Sequence, residues 1–496
     1  MQIILGAILI LSTQGSLDSY HLQMDPQLLD SLYSDPFADY QLPAFIETEA
    51  GACSCLAGFR GGSSLWSPKL SWKIELFDPS IENASHILLD AQYRDLSLMR
   101  NALGLLLSRQ LGRPTPLTEH VEFYVNGEYY GVYVQVERID EYFFNRTGTG
   151  DGPVFKSVDH LGRFAWQPSD TLGTAGFESK RGSAEYLYLV RRLIDAVNLF
   201  SPLSFSFEDF IANAAVSLAI YDTDAISKNY YLHLTPMNEW RYYPWDRDAS
   251  FGNSWEGIYN PNWIEKTSMY CFEISAMASR LLLQNEYRDM FEDYILQTGE
   301  IMRYELPAVI DSIYAEIRES VYVDPLKQGS NEDFDEAVAI LREAVSDRGA
   351  FLPEIARGHL PLEVLSMTLS EWEFEPGGNS DSVKVSIEYA QPVDVIRLYV
   401  WSDDSNYFSM NMYPDDQSMC RWSRTINFPS QYGHFKFSVR AGSIAEGGVC
   451  YTTFYYPLYA PPTTVSRRVC APTARRSIYS FDPGEFEVLA PVRYTV

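Results

Sequence analysis

Apolar and polar residues alternate from Ser71 to Phe77 (SWKIELF). Trp72, Ile74 and Leu76 fall on one face and Ser71, Lys73 and Glu75 on the other, the period of two expected of a half-buried strand. On that reading Lys69 and Lys73 both project away from the core. After Asp95 the period becomes helical: Asp95 is placed to cap, Leu96, Met99, Leu103 and Leu106 recur at helical spacing, and Gly112 with Pro114 ends the run. Val121, Phe123 and Val125 then alternate into Asn126-Gly127, and Val132, Val134 and Val136 alternate out, which predicts a hairpin closed by a type I′ turn. Pro153 to Lys156 predicts a further strand.

Helical spacing returns over 186–200 and 207–220, a short strand pair is predicted over 230–243 around Pro236, and 274–355 reads as mostly helical. Past Gly358 alternation resumes at Val383, Val385, Ile387 and Tyr389, at Ile396, Leu398 and Val400, and at Phe435, Phe437 and Val439. The predicted organisation is α+β: a β-rich lobe to about residue 170 and a helical lobe to 357 form one domain over 20–357, and an all-β sandwich occupies 360–496. Trp401, Tyr407, Phe408, Tyr413 and Trp422 read as the core and seams of that sandwich rather than as a carbohydrate-stacking face.

Composition narrows the function classes. A net charge of -28 over 496 residues repels a polyanion, so nucleic acid is excluded as a main partner. The apolar run Met1 to Leu11 is about half of the ~20 residues a membrane-spanning helix needs, so no transmembrane segment is expected. Residues 1–16 read instead as a secretory signal, with an apolar h-region and small residues at Thr13-Gln14-Gly15, although no Lys or Arg precedes the h-region. Two glycosylation sequons begin at Asn83 and Asn145. The six cysteines (Cys53, Cys55, Cys271, Cys420, Cys450, Cys470) include no CxxC pair, which argues against structural zinc. They read as buried thiols, with disulfides among the last three if the chain is exported.

Three constellations carry possible chemistry. Phe59-Arg60-Gly61-Gly62-Ser63-Ser64, followed by Lys69 and Lys73, has the glycine amides and cations of an anion-binding nest, or is a plain turn. Asp224 precedes Asn229 by five residues, and Asp246 and Asp248 follow in a stretch that runs on to Phe251-Gly252. Phosphoryl transfer by kinases needs a carboxylate to take the hydroxyl proton, an Asn to hold a metal and a second Asp downstream. The first pair alone arises by chance about once in a chain this long, and Asp246 and Asp248 have a turn-capping alternative. Third, Glu137 and Lys156 suit the ion pair by which kinases aim a lysine at nucleotide phosphates, or an ordinary surface pair.

The blocks RGGSSLWSPKLSWKIELF (60–77), ILLDAQYRDLSLMRNALGLLLSRQLG (87–112), VEFYVNGEYYGVYVQVERID (121–140), DTDAISKNYYLHL (222–234) and WRYYPWDRDASFG (240–252) together resemble the spore-coat CotH-like family of atypical kinases. DPQLLDSLYSDPFADYQLPAFIE (25–47) and LREAVSDRGAFL (341–352) extend the likeness to roughly 20–357. The resemblance implies a divergent, two-lobed protein-kinase-like fold and transfer of the ATP γ-phosphate, with Mg²⁺ or Mn²⁺, to serine or threonine of exported or coat proteins, autophosphorylation included. It implies Asp224 as catalytic base, Asn229 as metal ligand, and Asp246 as the main metal-binding aspartate with Asp248 as its rival. Lys156 would face the ATP phosphates with Glu137 as partner, and Arg60, Lys69, Lys73 and Arg100 would be basic positions of the nucleotide lobe. Where the family usually has Arg-Gly-Asn-Ser-Ser, this chain has Arg-Gly-Gly-Ser-Ser, and Asp222 stands where Asn is frequent. That extra carboxylate beside the base would raise its pKa or recruit metal. The implied partner is a protein with exposed serines, with a glycan or cell-surface ligand for the C-terminal region, and the implied location is secreted or on a cell or spore surface. The competing reading is a surface adhesin or structural coat protein on the same fold. The joint presence of Lys156, Asp224, Asn229 and Asp246 favours the enzyme.

Overall fold

The computed structural model describes residues 17–164, 174–198, 202–266, 275–282 and 285–358, then 364–369, 373–374, 380–389, 395–401, 407–429, 436–445, 448–454 and 480–481. The expected signal at 1–16 and the cysteines Cys271 and Cys470 lie outside these residues.

Seven strands close into a barrel. They are β1 (Asp18–Gln23), β2 (Leu42–Thr48), β3 (Gly51–Arg60), β4 (Ser71–Leu76), β5 (His86–Asp90), β6 (Thr118–Val125) and β7 (Glu128–Val136). The order around the barrel is β1-β2-β3-β4-β5-β7-β6, and β1 closes it by pairing parallel to β6. Alternation on β4 places Trp72, Ile74 and Leu76 inside, where Trp72 meets Phe59 and Phe123 edge to face. The β6–β7 turn is as the dipeptide predicts, with Asn126 at φ 52° and Gly127 at φ 86°. Cys53 and Cys55 are buried free thiols on β3, and Cys420 is also free. Both sequon asparagines are exposed.

A second sheet has the order β11-β10-β8-β9, with β8 (Val154–Ser157), β9 (Phe177–Arg181), β10 (Tyr230–Leu234) and β11 (Trp240–Pro244). This sheet takes strands from both sides of residue 170, so the expected division into a β-rich and a helical half does not follow the sheets. An apolar layer joins it to the outer face of the barrel: Leu88, Val134 and Val136 pack with Phe143, Phe144, Val154, Tyr231, Tyr243 and Trp245. Side chains of the candidate site lie along this seam.

The helices are α1 (Pro26–Ser34), α2 (Arg100–Gln110), α3 (Glu141–Thr147), α4 (Leu187–Asn198), α5 (Phe207–Ala219), α6 (Ala276–Leu282), α7 (Asn285–Tyr304), α8 (Leu306–Tyr322) and α9 (Asn331–Gly358). Asp95 does cap α2, but from a distance: its carboxylate accepts from the amides of Ser97, Met99 and Arg100, and the helix starts only at Arg100. α5 is buried on nearly every side, in one core with α2, α7 and α9.

Beyond 360 the described strands form two sheets. β12 (Val364–Leu369), β13 (Glu373–Phe374), β14 (Ser380–Tyr389), β15 (Val395–Trp401), β16 (Tyr407–Asn411), β17 (Tyr413–Pro414), β18 (Arg421–Pro429), β19 (Lys436–Ala445), β20 (Gly448–Phe454) and β21 (Ser480–Phe481) are arranged as β17-β18-β14-β12-β21, with β13 on β14, and as β16-β15-β19-β20. Val385, Ile387, Ile396 and Leu398 are buried as their alternation predicts, and so is Trp422, whereas Tyr413 is 60% exposed. No helix among the described residues is long and apolar enough to cross a membrane.

Candidate active site

α5 ends at Ala219, and the chain turns through Tyr221 to Asn229 into β10, while β11 runs out into Trp245 to Phe251. These two loops lie side by side. Asn229 Nδ2 donates to the carbonyl of Asp246 at 3.2 Å, the Trp245 amide donates to the Asn229 carbonyl at 3.1 Å, and the Thr223 amide donates to the Ala249 carbonyl at 3.2 Å. Tyr221, Ile226, Asn229, Asp246 and Phe251 all have φ between 51° and 70°, a concentration of left-handed non-glycine backbone of the kind that clusters at binding and catalytic turns. Gly252, at φ 80°, has no room for a Cβ against the Trp263 indole.

Lys156 arrives from β8. Its register partner on β10 is Tyr231, and its ammonium stands 5.9 Å from the Tyr231 ring and 5.8 Å from the Trp245 ring. Arg60, at the end of β3, reaches the same indole from the barrel, 5.7 Å from its centre. Burial pushes the Lys156 ammonium down to about 8, opposed by the Asp246 carboxylate and helped by Arg60 and Lys180. Asp246 is displaced the other way: burial raises it, Asp90 raises it further, and Lys156 and Arg60 pull it back. Asp248 is raised well above the usual carboxylate range by burial, then by Asp246 and Asp90. Asp224 forms an ion pair with Lys228 at 2.8 Å.

The structure thus brings together Asp224, Asn229, Asp246, Asp248, Lys156 and Arg60. Lys73 is half-buried at the edge of this group, its ammonium lowered by burial and by Arg138, with Lys180 also contributing. The other expected positions are elsewhere. Lys69 does not project outward: it is 2% exposed, donates to Asp324 at 2.7 Å and to the Val132 carbonyl at 2.6 Å, and joins the barrel to the end of α8. Arg100 is buried against Asp95 and Ser97, where it braces the start of α2. Glu137 pairs with Arg146 at 2.5 Å and accepts from the Leu117 amide at 3.0 Å, in place of the expected pair with Lys156. The carboxylate opposite Lys156 on the neighbouring strand is Glu178. Asp222 likewise departs from expectation, turning inward to Arg247 at 4.0 Å.

Sequence reasoning missed Asp90, Arg138, Lys180 and Lys228. Lys228 has a local signal, the i,i+4 spacing from Asp224. The others come from separate strands and loops, and only the seam between barrel and second sheet unites them.

Among the described residues no three of His, Cys, Asp and Glu are placed to hold a metal ion, so the protein alone forms no metal cage. Mg²⁺ takes only one or two carboxylates and fills its octahedron with water and substrate phosphate. Asp246, Asp248 and the Asn229 amide oxygen fit that role. The raising of Asp246 by Asp90, and of Asp248 by Asp246 and Asp90, is what an added cation would relieve, and the cations opposite fit a polyphosphate.

The family model for CotH kinase protein matches residues 57–352. Inner spore coat protein H of Bacillus subtilis (strain 168) is 26% identical over 365 residues, covering 69% of this chain and 99% of that protein. Among solved structures, the Helicobacter pylori proinflammatory kinase CtkA aligns over 57% of this chain and 90% of its own, at 11% identity and a TM-score of 0.24, a likeness that carries no argument about the site.

Proposed function

This chain belongs to the CotH kinase family, and from that premise we propose that it transfers the γ-phosphate of ATP to a serine or threonine hydroxyl of an exported or coat protein, itself included. One observation carries the reading. At the Trp245-Asp246 step the lysine from β8, the asparagine of the preceding loop and the metal-suited aspartate meet, with Asp224 five residues before that asparagine.

Asp246, Asp248 and Asn229 would hold an Mg²⁺ or Mn²⁺, which would supply charge neutralisation to the nucleotide phosphates. Lys156, Arg60 and Lys73 orient those phosphates and offset the repulsion expected from a chain of net charge -28. Asp224 accepts the hydroxyl proton as the acceptor oxygen bonds to the γ-phosphorus and the bond from that phosphorus to the β–γ bridging oxygen breaks, releasing ADP. Lys228, paired with Asp224, places a further cation where transferred charge accumulates.

The name of the Bacillus subtilis relative, inner spore coat protein H, supports a spore-coat location for this chain. We take 20–357 as the transferase unit and 360–496 as a separate sandwich that recruits the acceptor or a surface glycan. Transfer of γ-labelled phosphate by the purified chain, with Mg²⁺ or Mn²⁺ and beside Asp224→Ala, tests the activity. Label that requires both metal and Asp224 establishes it. No label on the chain itself or on generic acceptors turns the reading toward surface binding.

A further inference from the structure

Between Asp246 and Asp248 the side chain of Arg247 points the opposite way, into the protein, and is 1% exposed. Its amide donates to Asn101 Oδ1 at 2.9 Å, Nη2 donates to Asn213 Oδ1 at 3.0 Å, and Nη1 donates to Ser217 Oγ at 3.4 Å. Its stem crosses Gly104, where a Cβ would come within 2.9 Å, so α2 carries glycine at a position that otherwise favours alanine. Residue 247 is thereby fastened to α2 through its backbone amide and stem, and to α5 through its guanidinium. Asp222, with no exposed surface, lies 4.0 Å from Nη1, and its Oδ1 accepts from the amides of Asp224 at 3.2 Å and Ala225 at 3.1 Å.

Resting on the phosphotransfer reading, we propose that Arg247 and Asp222 are a pair of positioning residues that sets the spacing between the proton acceptor Asp224 and the metal-suited Asp246 and Asp248. The reason is geometric. Anchoring Arg247 by its amide and its side chain fixes the backbone between Asp246 and Asp248, and with it the stretch from which both carboxylates project. Asp222 does the same for Asp224 through its two amide bonds. The two loops are then registered through one buried guanidinium instead of moving separately.

The test uses the full chain with Arg247→Met, Asp222→Asn and the two combined. Asn retains an oxygen for the amides of Asp224 and Ala225, and the double variant leaves no unpaired buried charge. Each single variant is expected to lower Tm, and the double to recover most of that loss. Transfer is expected not to recover: kcat in the double variant stays down by about 100-fold, with KM for ATP changed by less than about threefold. Hydrogen exchange over 222–229 is expected to speed up in the double variant while α5 keeps its protection. Recovery of kcat and of exchange protection together with Tm would make the pair merely structural and overturn the proposal. A wild-type chain without transfer activity sinks the kinase reading instead, and the exchange measurement then decides the proposal alone: unchanged protection over 222–229 defeats it, and faster exchange supports the registration of the loops.

Discussion

Lys69 and Asp324, 255 positions apart in the chain, meet at 2.7 Å in a fully buried ion pair. Asp324 also accepts from the amides of Val132 at 3.0 Å and Leu326 at 2.8 Å. Gly131, at φ 107°, is needed beside it because any Cβ would collide with the carboxylate. The pair therefore ties β7 and the segment before β4 to the end of α8. Removing one partner strands the other charge out of water, so Lys69→Met is expected to cost about 3–5 kcal/mol by denaturant unfolding. At temperatures where the variant remains folded, its ATP affinity is expected to match the wild type, since Lys69 faces away from the phosphates. A selective loss of ATP affinity without loss of stability would restore Lys69 to the nucleotide site.

Metal removal is expected to abolish transfer, and Asp246→Asn or Asp248→Asn to do the same. Stability separates their role from folding. Burial raises Asp246 and Asp248 above their unfolded values, so the stability they contribute is full below the ordinary carboxylate range, about pH 4, and is lost as pH rises through their raised folded values. Asp248→Asn is therefore expected to raise the metal-free Tm at pH 7.5, by about 2–4 °C for each kcal/mol released. Mg²⁺ should raise the Tm of the wild type and not that of the variant. Thermal scans with and without chelator check both.

Lys156 carries the opposite sign. Its ammonium is lowered to about 8, so it is charged below that pH and neutral above it. KM for ATP is expected to rise as pH passes 8 in the wild type and to stay flat in Lys156→Arg, whose guanidinium keeps its charge. A profile that is flat in both would remove Lys156 from the phosphates.

Lys228→Met tests the cation beside the base. A partly exposed i,i+4 pair is worth about 0.3–0.5 kcal/mol, so the Tm is expected to hold. The rate is expected to fall about tenfold at saturating ATP, because charge next to the transferring phosphoryl group is lost. An unchanged kcat would reduce Lys228 to a surface partner of Asp224.

The strands at 71–76, 118–125 and 128–136, the helices at 187–198 and 207–219, and the alternation beyond 360 were all legible from period and turn chemistry, which act over a few residues. The loop from Asp224 to Asn229 and the run from Asp246 to Phe251 were legible for the same reason: their spacing is local. What sequence alone did not decide is which cations serve the phosphates. Lys69 and Lys73 share a strand register on paper, yet Asp324, reached only through the closure of the barrel against α8, draws Lys69 inside. Glu137 was matched to Lys156 by charge, but Arg146 is nine residues away and on the same surface, and it takes the carboxylate first. Asp90, Arg138 and Lys180 had no neighbours in the sequence to give them away. Local order followed from periodicity and steric preference along the chain, whereas the partner of each buried charge was decided by which segments pack together, because a charge removed from water must take the counter-charge or the carbonyl that tertiary contact brings within reach.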